Sequence, residues 1–265
     1  MGPEPSPRLR LSGVTREFRG RRGKRLRVLD DVSLSVAAGE FVSIVGPSGA
    51  GKSTLFNLVA GLDRPDSGLI EVDGRDAIGS HAHAAYMPQN DLLFPWRTVV
   101  ANAALGLEVQ GVPRAEARAR VRELFPRFGL AGFEDAHPFE LSGGMRQRAA
   151  LLRTVAQQRP TLLLDEPFGA LDSLTRMELH AWLQEVWAEH HWTALLVTHD
   201  IREALVLSDR VVVLGPRPAR VATVLAVDLP RPRDFAVTVT AEFAALERAL
   251  WDAVHASDTR PSPAT

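Results

Sequence analysis

The amino-acid sequence predicts an α/β fold built around a mostly parallel β-sheet. Near-continuous apolar runs at 161–165, 194–198 and 211–214 are typical of parallel strands that are covered on both faces. A further apolar run at 41–45 leads into a glycine-rich loop and then into a helical pattern. From about residue 98 to 158 the pattern is again helical. Strands on both sides of helical segments favour one layered α/β unit.

An antiparallel sheet is expected near the start of the chain. Residues 8–11 and 32–36 alternate polar and apolar side chains, which predicts strands with one face in solvent. The basic stretch 19–27 lies between them, and we interpret it as a solvated loop in preference to a patch for nucleic acid or anionic lipid. Residues 69–74 predict one more strand that runs into a turn.

The composition limits the possible classes of protein. A chain of 265 residues can form one large domain with subdomains, and a second independent fold is not expected. Lys and Arg number 31 against 32 Asp and Glu, a balance that disfavours non-specific binding of nucleic acid. The sequence has no cysteine, which excludes disulfides, zinc ribbons and iron–sulfur centres.

The sequence also has no signal-peptide pattern and no uninterrupted apolar stretch of about 18 residues. We therefore expect a cytosolic chain, whose link to any membrane would run through a partner. Prolines at positions 3, 5 and 7, and the polar end at 261–265, predict disordered tails.

The most informative segment is a phosphate-binding loop of the pattern G-x-x-x-x-G-K-[ST], between a predicted strand and a predicted helix. Its residues are Gly46, Pro47, Ser48, Gly49, Ala50, Gly51, Lys52 and Ser53, and Thr54 follows as a further candidate contact. Backbone N–H groups of such a loop point at phosphates, aided by the helix dipole. We expect Lys52 to reach the β- and γ-phosphates of a nucleoside triphosphate and Ser53 to hold Mg²⁺.

Two acidic residues close the apolar strand at 161–165. Carboxylates at the C-terminal end of a parallel strand face the ligand crevice of the sheet. Asp165 is expected to hold the Mg²⁺ shell, and Glu166 to orient or activate the attacking water. Two acids after a strand are often only a polar loop, and the presence of Lys52 in the same chain favours the catalytic interpretation.

A second helix N-terminus is expected at Ser142. This serine suits an N-cap, and Gly143 and Gly144 follow it before a helical run that starts at Met145. An ordinary capped helix explains the serine but not two successive glycines. The segment therefore predicts a second anion site lined by backbone amides, far along the chain from the first.

In their order along the chain, these motifs resemble those of the ATPase subunit of an ATP-binding cassette (ABC) transporter, over about residues 8–230. The resemblance implies a P-loop NTPase core with a mostly parallel sheet, an antiparallel β subdomain, and an α-helical signature subdomain at about 98–158. Residues 231–265 are then a C-terminal extension, with a short helix near 243–255 and a disordered tail.

The resemblance implies roles for further residues. Phe18 takes the place of the aromatic residue that stacks on adenine, where the family more often has Tyr. Gln89 matches the glutamine that senses the γ-phosphate and helps to hold Mg²⁺, and His199 matches the switch histidine. ATP and Mg²⁺ are the implied cofactors. No catalytic motif is broken, which favours a chain that hydrolyses ATP.

A second subunit follows from the same resemblance. Residues 142–147, including Gln147, match the signature that caps the nucleotide held by a partner subunit, and residues 170–172 match the D-loop. Two such subunits, expected to form a homodimer, would sandwich two ATP molecules. Binding would close the dimer and hydrolysis would open it.

Membrane partners are implied as well. The chain would dock on permease subunits at the cytoplasmic side of the cell membrane, and an extracytoplasmic solute-binding protein would be an indirect partner. Leu93, Phe94 and Trp96 are predicted to be exposed and to form the contact patch. Segments 93–99, 215–221 and 228–234 resemble the nitrate/sulfonate/taurine importer group. A related branch imports pyrimidine precursors, so the solute stays open.

Two other classes were weighed. A soluble ABC ATPase that acts on ribosomes or DNA would typically carry two cassettes, long coiled-coil insertions or zinc sites, and this sequence shows none of these. A P-loop kinase would explain the phosphate-binding loop but would leave residues 142–147 and His199 without a role.

Overall fold

The computed structural model describes residues 7–20, 24–169 and 171–258. Several sequence predictions fall outside these ranges. These predictions concern the start of the chain up to residue 6 and its end from residue 259. They also concern residues 21–23 of the basic stretch and Ala170 of the predicted D-loop.

The described residues form ten strands and eight α-helices, which are connected by loops and short 3₁₀ helices. The strands are β1 Leu9–Arg19, β2 Arg25–Val36, β3 Phe41–Val45, β4 Ser67–Val72, β5 Arg75–Asp76, β6 Ala84–Met87, β7 Thr161–Asp165, β8 Thr193–Val197, β9 Arg210–Leu214 and β10 Val221–Ala226. The helices are α1 Lys52–Val59, α2 Val99–Ala103, α3 Leu105–Val109, α4 Arg114–Arg122, α5 Gly143–Val155, α6 Ser173–His190, α7 Ile201–Leu207 and α8 Ala241–Asp258.

A six-stranded sheet forms the centre of the fold, in the order β10-β9-β3-β8-β7-β6. All its pairings are parallel except that of β10 with β9. The apolar runs at 161–165, 194–198 and 211–214 are strands of this sheet, as predicted. Because parallel strands end at the same edge of a sheet, the segments that follow β3, β7 and β8 meet there.

Two apolar cores cover the two faces of this sheet. Along β3, Phe41 and Val45 belong to one core, whereas Val42 and Ile44 belong to the other. The first core takes in the helices between residues 99 and 155 and the C-terminal helix α8. The second takes in α1 and the antiparallel sheet. The strands are therefore covered on both faces, which explains their near-continuous apolar sequences.

The antiparallel sheet has the order β2-β1-β4-β5. The prediction of antiparallel strands is confirmed, but their length was underestimated: β1 and β2 extend over 11 and 12 residues. Register shifts interrupt their pairing between Leu11 and Glu17. Irregular pairing of this kind breaks the alternation of polar and apolar side chains, and therefore hid the second half of β1 and the first half of β2. Residues 19 and 25–27 of the basic stretch, which was predicted to be a loop, therefore lie in strands.

The segment after β10 packs against the six-stranded sheet. Arg233 is buried and donates hydrogen bonds to the carbonyls of Leu205 and Val227, at 2.8 and 3.0 Å. It also donates to the carbonyl of Ser208 at the end of α7. These bonds satisfy carbonyls that a helix end leaves free. The helix predicted near residues 243–255 is longer than expected, since α8 begins at Ala241 and ends at Asp258.

Candidate active site

The phosphate-binding loop joins β3 to α1 and is shaped by its glycines. At Gly46 the backbone has φ 155°, and a Cβ there would lie 2.5 Å from the carbonyl oxygen of Leu214. At Gly51, the N-cap of α1, a Cβ would lie 2.7 Å from Val28 Cγ1. Larger residues would push the loop away from β9 and β2. Only glycine therefore lets the loop lie this close to both sheets.

Lys52 lies across the loop. Its Nζ donates hydrogen bonds to the carbonyls of Gly46 and Pro47, at 2.7 and 3.0 Å. Burial lowers the pKa of Lys52, and the carboxylates of Glu166 and Asp165 oppose this shift. A buried ammonium group is a strong hydrogen-bond donor to a phosphate oxygen.

Asp165 ends β7 beside this lysine and is 2% exposed. Burial raises the pKa of Asp165, while hydrogen bonding from the Ser53 hydroxyl opposes that rise. The Tyr86 hydroxyl also bonds to this carboxylate, and burial raises the pKa of Tyr86 well above its ordinary value. A serine hydroxyl and a carboxylate held together are ligands that Mg²⁺ accepts, with phosphate oxygens and waters in the remaining positions. The donor set therefore fits Mg²⁺.

Glu166 follows Asp165 in a left-handed backbone conformation, with φ 49°. Its N–H donates to the carbonyl of Val197 at 2.8 Å, so that the residue stays attached to β8. Gln89 Nε2 donates to Glu166 Oε2 at 2.9 Å, and His199 Nδ1 lies 3.5 Å from Glu166 Oε1. The three residues predicted to be catalytic therefore converge on one carboxylate, at the edge of the sheet where β6, β7 and β8 end.

These groups line one cavity of about 710 Å³. Of the predicted residues, those on its wall are Phe18, Ser48, Gly49, Gly51, Lys52, Ser53, Thr54, Gln89, Glu166 and His199. Gly46 and Pro47 instead support Lys52 through their carbonyls, and Ala50 is buried beneath the loop. Phe18 is partly exposed at the wall, with the guanidinium of Arg16 4.7 Å from its ring centroid.

The signature segment, residues 142–147, lies outside this cavity. Ser142 caps α5, where its Oγ accepts a hydrogen bond from the N–H of Met145 at 3.3 Å. Ser142 and Gly143 are exposed, and neither Ser142, Gly143, Gly144 nor Gln147 is among the residues that line the cavity around Lys52. This exposed helix end therefore lies outside the cavity around the chain's own phosphate-binding loop.

Gln147 is placed differently from the expectation that it faces a partner's nucleotide. It is buried, and its Nε2 lies 3.4 Å from the backbone carbonyl of Glu166, to which it donates. One helical turn after the glycines, its side chain points back into its own subunit. The structure thus connects the signature helix to the residue that is expected to position water.

The predicted contact patch needs one correction. Leu93 is 8% exposed and belongs to the core, whereas Phe94 and Trp96 are 37% and 72% exposed. The reason is Asn102, a buried side chain that accepts from the N–H of Phe94 at 2.7 Å and donates to its carbonyl at 3.0 Å. This anchoring turns Leu93 inward. The exposed pair stacks, with ring centroids 5.1 Å apart.

Asp172 and Arg217 complete the description of the site. Asp172 caps α6 by accepting from the N–H of Thr175 at 3.0 Å, a bond that keeps the pKa of Asp172 low. Arg217 lines the nucleotide cavity but was not among the predicted site residues. Arg217 lies within residues 215–221, a segment that the sequence identifies only through its resemblance to the nitrate/sulfonate/taurine importer group.

The parallel sheet, the phosphate-binding loop and the acid pair at the end of β7 define a P-loop nucleotide hydrolase. The chain belongs to the ABC transporter family, whose sequence model matches residues 29–169. It is therefore an ABC ATPase, and the alternative of a P-loop kinase is wrong. Among the described residues, no helix is both long and apolar enough to cross a membrane.

Two relatives illustrate the similarity. An uncharacterised ABC transporter ATP-binding protein of Methanocaldococcus jannaschii is 43% identical over 227 residues, which cover 86% of this chain and 85% of that protein. The aliphatic sulfonates import ATP-binding protein SsuB 1 of Burkholderia cenocepacia is 46% identical over 246 residues, which cover 93% of this chain and 72% of that protein.

Solved structures show the same fold. The dimeric structure of MJ0796, a bacterial ABC transporter cassette, matches with a TM-score of 0.77 and 30% identity, over 84% of this chain and 100% of that chain. A post-hydrolysis dimer of the same cassette, bound to ADP and Pi, matches with a TM-score of 0.77 and 29% identity over the same shares.

Replacing Glu166 by glutamine should abolish ATP hydrolysis and spare ATP binding. The substitution keeps the volume of the side chain and removes the charge that positions and activates water, while Lys52 and the loop amides are untouched. A fall in turnover of about a hundredfold or more is expected, in a phosphate-release assay. The matched control is Glu123→Gln, at an exposed glutamate after α4. Turnover near the native rate in Glu166→Gln would contradict the role given to this carboxylate.

Replacing Asp165 by asparagine should raise the melting temperature of the nucleotide-free protein at pH 7. Burial raises the pKa of Asp165 in the folded state. The ionised form therefore costs stability above the unfolded-state pKa, and this cost disappears as the pH falls to about 4. A stability gain of 1 kcal/mol corresponds to about 2–4 °C in a chain of this size.

Calorimetric scans at pH 7 and pH 4 measure this effect, and Asp252→Asn on the exposed surface of α8 is the control. The gain should be present at pH 7 and much smaller at pH 4. A lower melting temperature at pH 7 would mean that the attraction of Asp165 to Lys52 outweighs its burial. The same variant should lose the Mg²⁺ dependence of ATP binding.

Proposed function

We propose that this chain is the ATP-hydrolysing subunit of a membrane importer for a small solute of the nitrate, sulfonate or taurine type. The similarity to an aliphatic sulfonates import ATP-binding protein, 46% identical over 93% of this chain, carries the proposal. In this proposal the ABC ATPase domain comprises residues 8–230, with a helical subdomain at about 98–158, and residues 231–265 are an extension.

Within this proposal the chain acts as a dimer. The exposed N-terminus of α5 lies outside its own nucleotide cavity, which supports its use against the nucleotide of a second copy. Ser53, Asp165 and Gln89 would hold Mg²⁺ together with the phosphates, and the ion would supply charge stabilisation during phosphoryl transfer. Glu166 orients water, and His199 and Gln89 orient Glu166. Phe18 offers its ring to adenine.

The permease contact proposed here is the stacked pair Phe94 and Trp96, on the cytoplasmic side of the membrane. Only four residues separate Phe94 from Gln89, which touches Glu166. Between them, Arg153 donates hydrogen bonds to the carbonyls of Leu92 and Asp91, at 2.8 and 2.6 Å. The turn that carries the aromatic pair is thus fixed both to the nucleotide site and to α5.

A soluble ABC ATPase acting on ribosomes or nucleic acid is the second candidate. No described feature favours it, and the near-neutral charge of the chain argues against it.

Uptake by cells tests the transport role. A strain that lacks the gene for this chain should lose growth on one of these solutes as sole sulfur or nitrogen source, and should lose uptake of the labelled solute. The wild-type chain should restore both, and Glu166→Gln should not, because transport needs hydrolysis. Unchanged uptake of nitrate, sulfonates, taurine and pyrimidine precursors alike would refute the solute class, and the ATPase assignment would stand.

The double variant Phe94→Ala, Trp96→Ala should release the permease. Aromatic anchors at an interface typically lose about 2 kcal/mol or more on truncation, a loss of about thirtyfold in affinity. Co-purification with the membrane fraction and solute uptake should both fail, while the ATPase activity of the free subunit stays near normal. Trp251→Ala is the control, because Trp251 is an exposed tryptophan on α8, where it lies against His255. Loss of ATP binding in the double variant would show that the pair supports the nucleotide site instead.

A further inference from the structure

The turn at 215–220, which joins β9 to β10, is attached to the antiparallel sheet. The N–H of Gly215 donates to the carbonyl of Arg220 at 3.0 Å and closes the turn. Ala219 is buried, and its N–H donates to the carbonyl of Val28 at 2.8 Å, while its own carbonyl accepts from the N–H of Asp30 at 2.9 Å. The backbone of the turn is therefore fixed against β2.

Two arginines of this turn have different surroundings. Arg220 pairs with the carboxylate of Asp30, whose pKa it lowers, and its Nε lies 2.9 Å from Oδ2. Arg217 extends to the other side, over the phosphate-binding loop. There its Nε donates to the carbonyl of Gly49, and it lines the nucleotide cavity.

Gly49 permits this approach. Its φ is 77°, and a Cβ at this position would lie 2.6 Å from Nη2 of Arg217. The guanidinium group thus lies directly against the loop backbone, on the wall that also carries Lys52 and Thr54. Its reach and its charge are those of a group that contacts the bound nucleotide.

Arg217 and Lys52 share one pattern. Both are cations at the cavity, and both donate to carbonyls of the phosphate-binding loop. A phosphate oxygen carries a full negative charge and is a stronger acceptor than a carbonyl, so both cations gain by exchanging one for the other. The planar guanidinium group can also form a bidentate hydrogen bond with a phosphate group.

We infer that Arg217 is a second cationic contact for the polyphosphate of the nucleotide, supplied by the 215–220 turn. On nucleotide binding its guanidinium leaves the carbonyl of Gly49 and donates to phosphate oxygens, while the backbone of the turn stays in place. This contact concerns ATP and ADP alone, so it does not depend on the importer role or on the solute.

Calorimetric titration of the purified chain with MgATP, MgADP and AMP tests the inference. Arg217→Ala should weaken ATP and ADP binding by about ten- to a hundredfold, the effect of one charge-assisted hydrogen bond, and should change AMP binding little. Arg217→Lys should restore part of the loss, because it keeps the charge but not the fork. Arg220→Ala is the matched control from the same turn and should stay within about twofold of wild type.

The outcomes separate the possibilities. Equal affinity for ATP in wild type and Arg217→Ala overturns the inference. An equal loss in Arg217→Ala and Arg220→Ala, with a lower melting temperature in both, would mean that the turn is only structural and also overturns it. A loss of similar size for AMP would place Arg217 at the nucleoside or at the α-phosphate, which AMP also carries, and would likewise overturn the assignment to the polyphosphate. Because wild-type ATP binding is measured in the same series, failure here cannot be confused with failure of the importer role.

Discussion

The nucleotide site depends on one electrostatic constraint: a buried ammonium group and a buried carboxylate lie close together where the parallel strands end. Burial lowers the pKa of Lys52 and raises the pKa of Asp165, so each group alone would be costly in this position. Their mutual attraction, the carbonyls under Lys52 and the hydroxyls around Asp165 oppose these shifts and favour the charged form of each group. A phosphate and a metal ion complete the same set of charges. The nucleotide site is therefore a place where the empty protein is poorly compensated and the loaded one is well compensated.

The carboxylate of Glu166 extends this constraint to the rest of the site. Its backbone adopts a left-handed conformation that costs free energy for a residue other than glycine, and strain of this kind concentrates at functional sites. Gln89 and His199 reach its side chain, and Gln147 reaches its carbonyl. Segments from three other parts of the chain thus contact one residue. Movement of α5 or of the 89–94 segment would therefore change the hydrogen bonds of Glu166, the residue expected to position water.

Much of this arrangement could be predicted from the sequence, because its signals are local. The phosphate-binding loop, the apolar strands and the acids at the end of β7 are each written in fewer than ten consecutive residues. The convergence of Gln89 on Glu166 is different, because it depends on the pairing of β6 with β7, and the sequence predicted neither that strand nor that pairing. What failed were features set by distant contacts. Leu93 is buried because Asn102 anchors its neighbour, and Arg217 reaches Gly49 because Ala219 pairs with β2. No pattern within either segment contains that information.

Alternate side chains along β3 belong to two separate apolar cores. Phe41 and Val45 belong to the core that the helices cover, and Val42 and Ile44 to the core shared with α1 and the antiparallel sheet. Residues that are neighbours in sequence therefore pack against different sets of side chains. A sheet built in this way allows the helical layer to be remodelled without repacking the layer that holds the phosphate-binding loop. One strand thereby gives the protein two independent lines of evolutionary change.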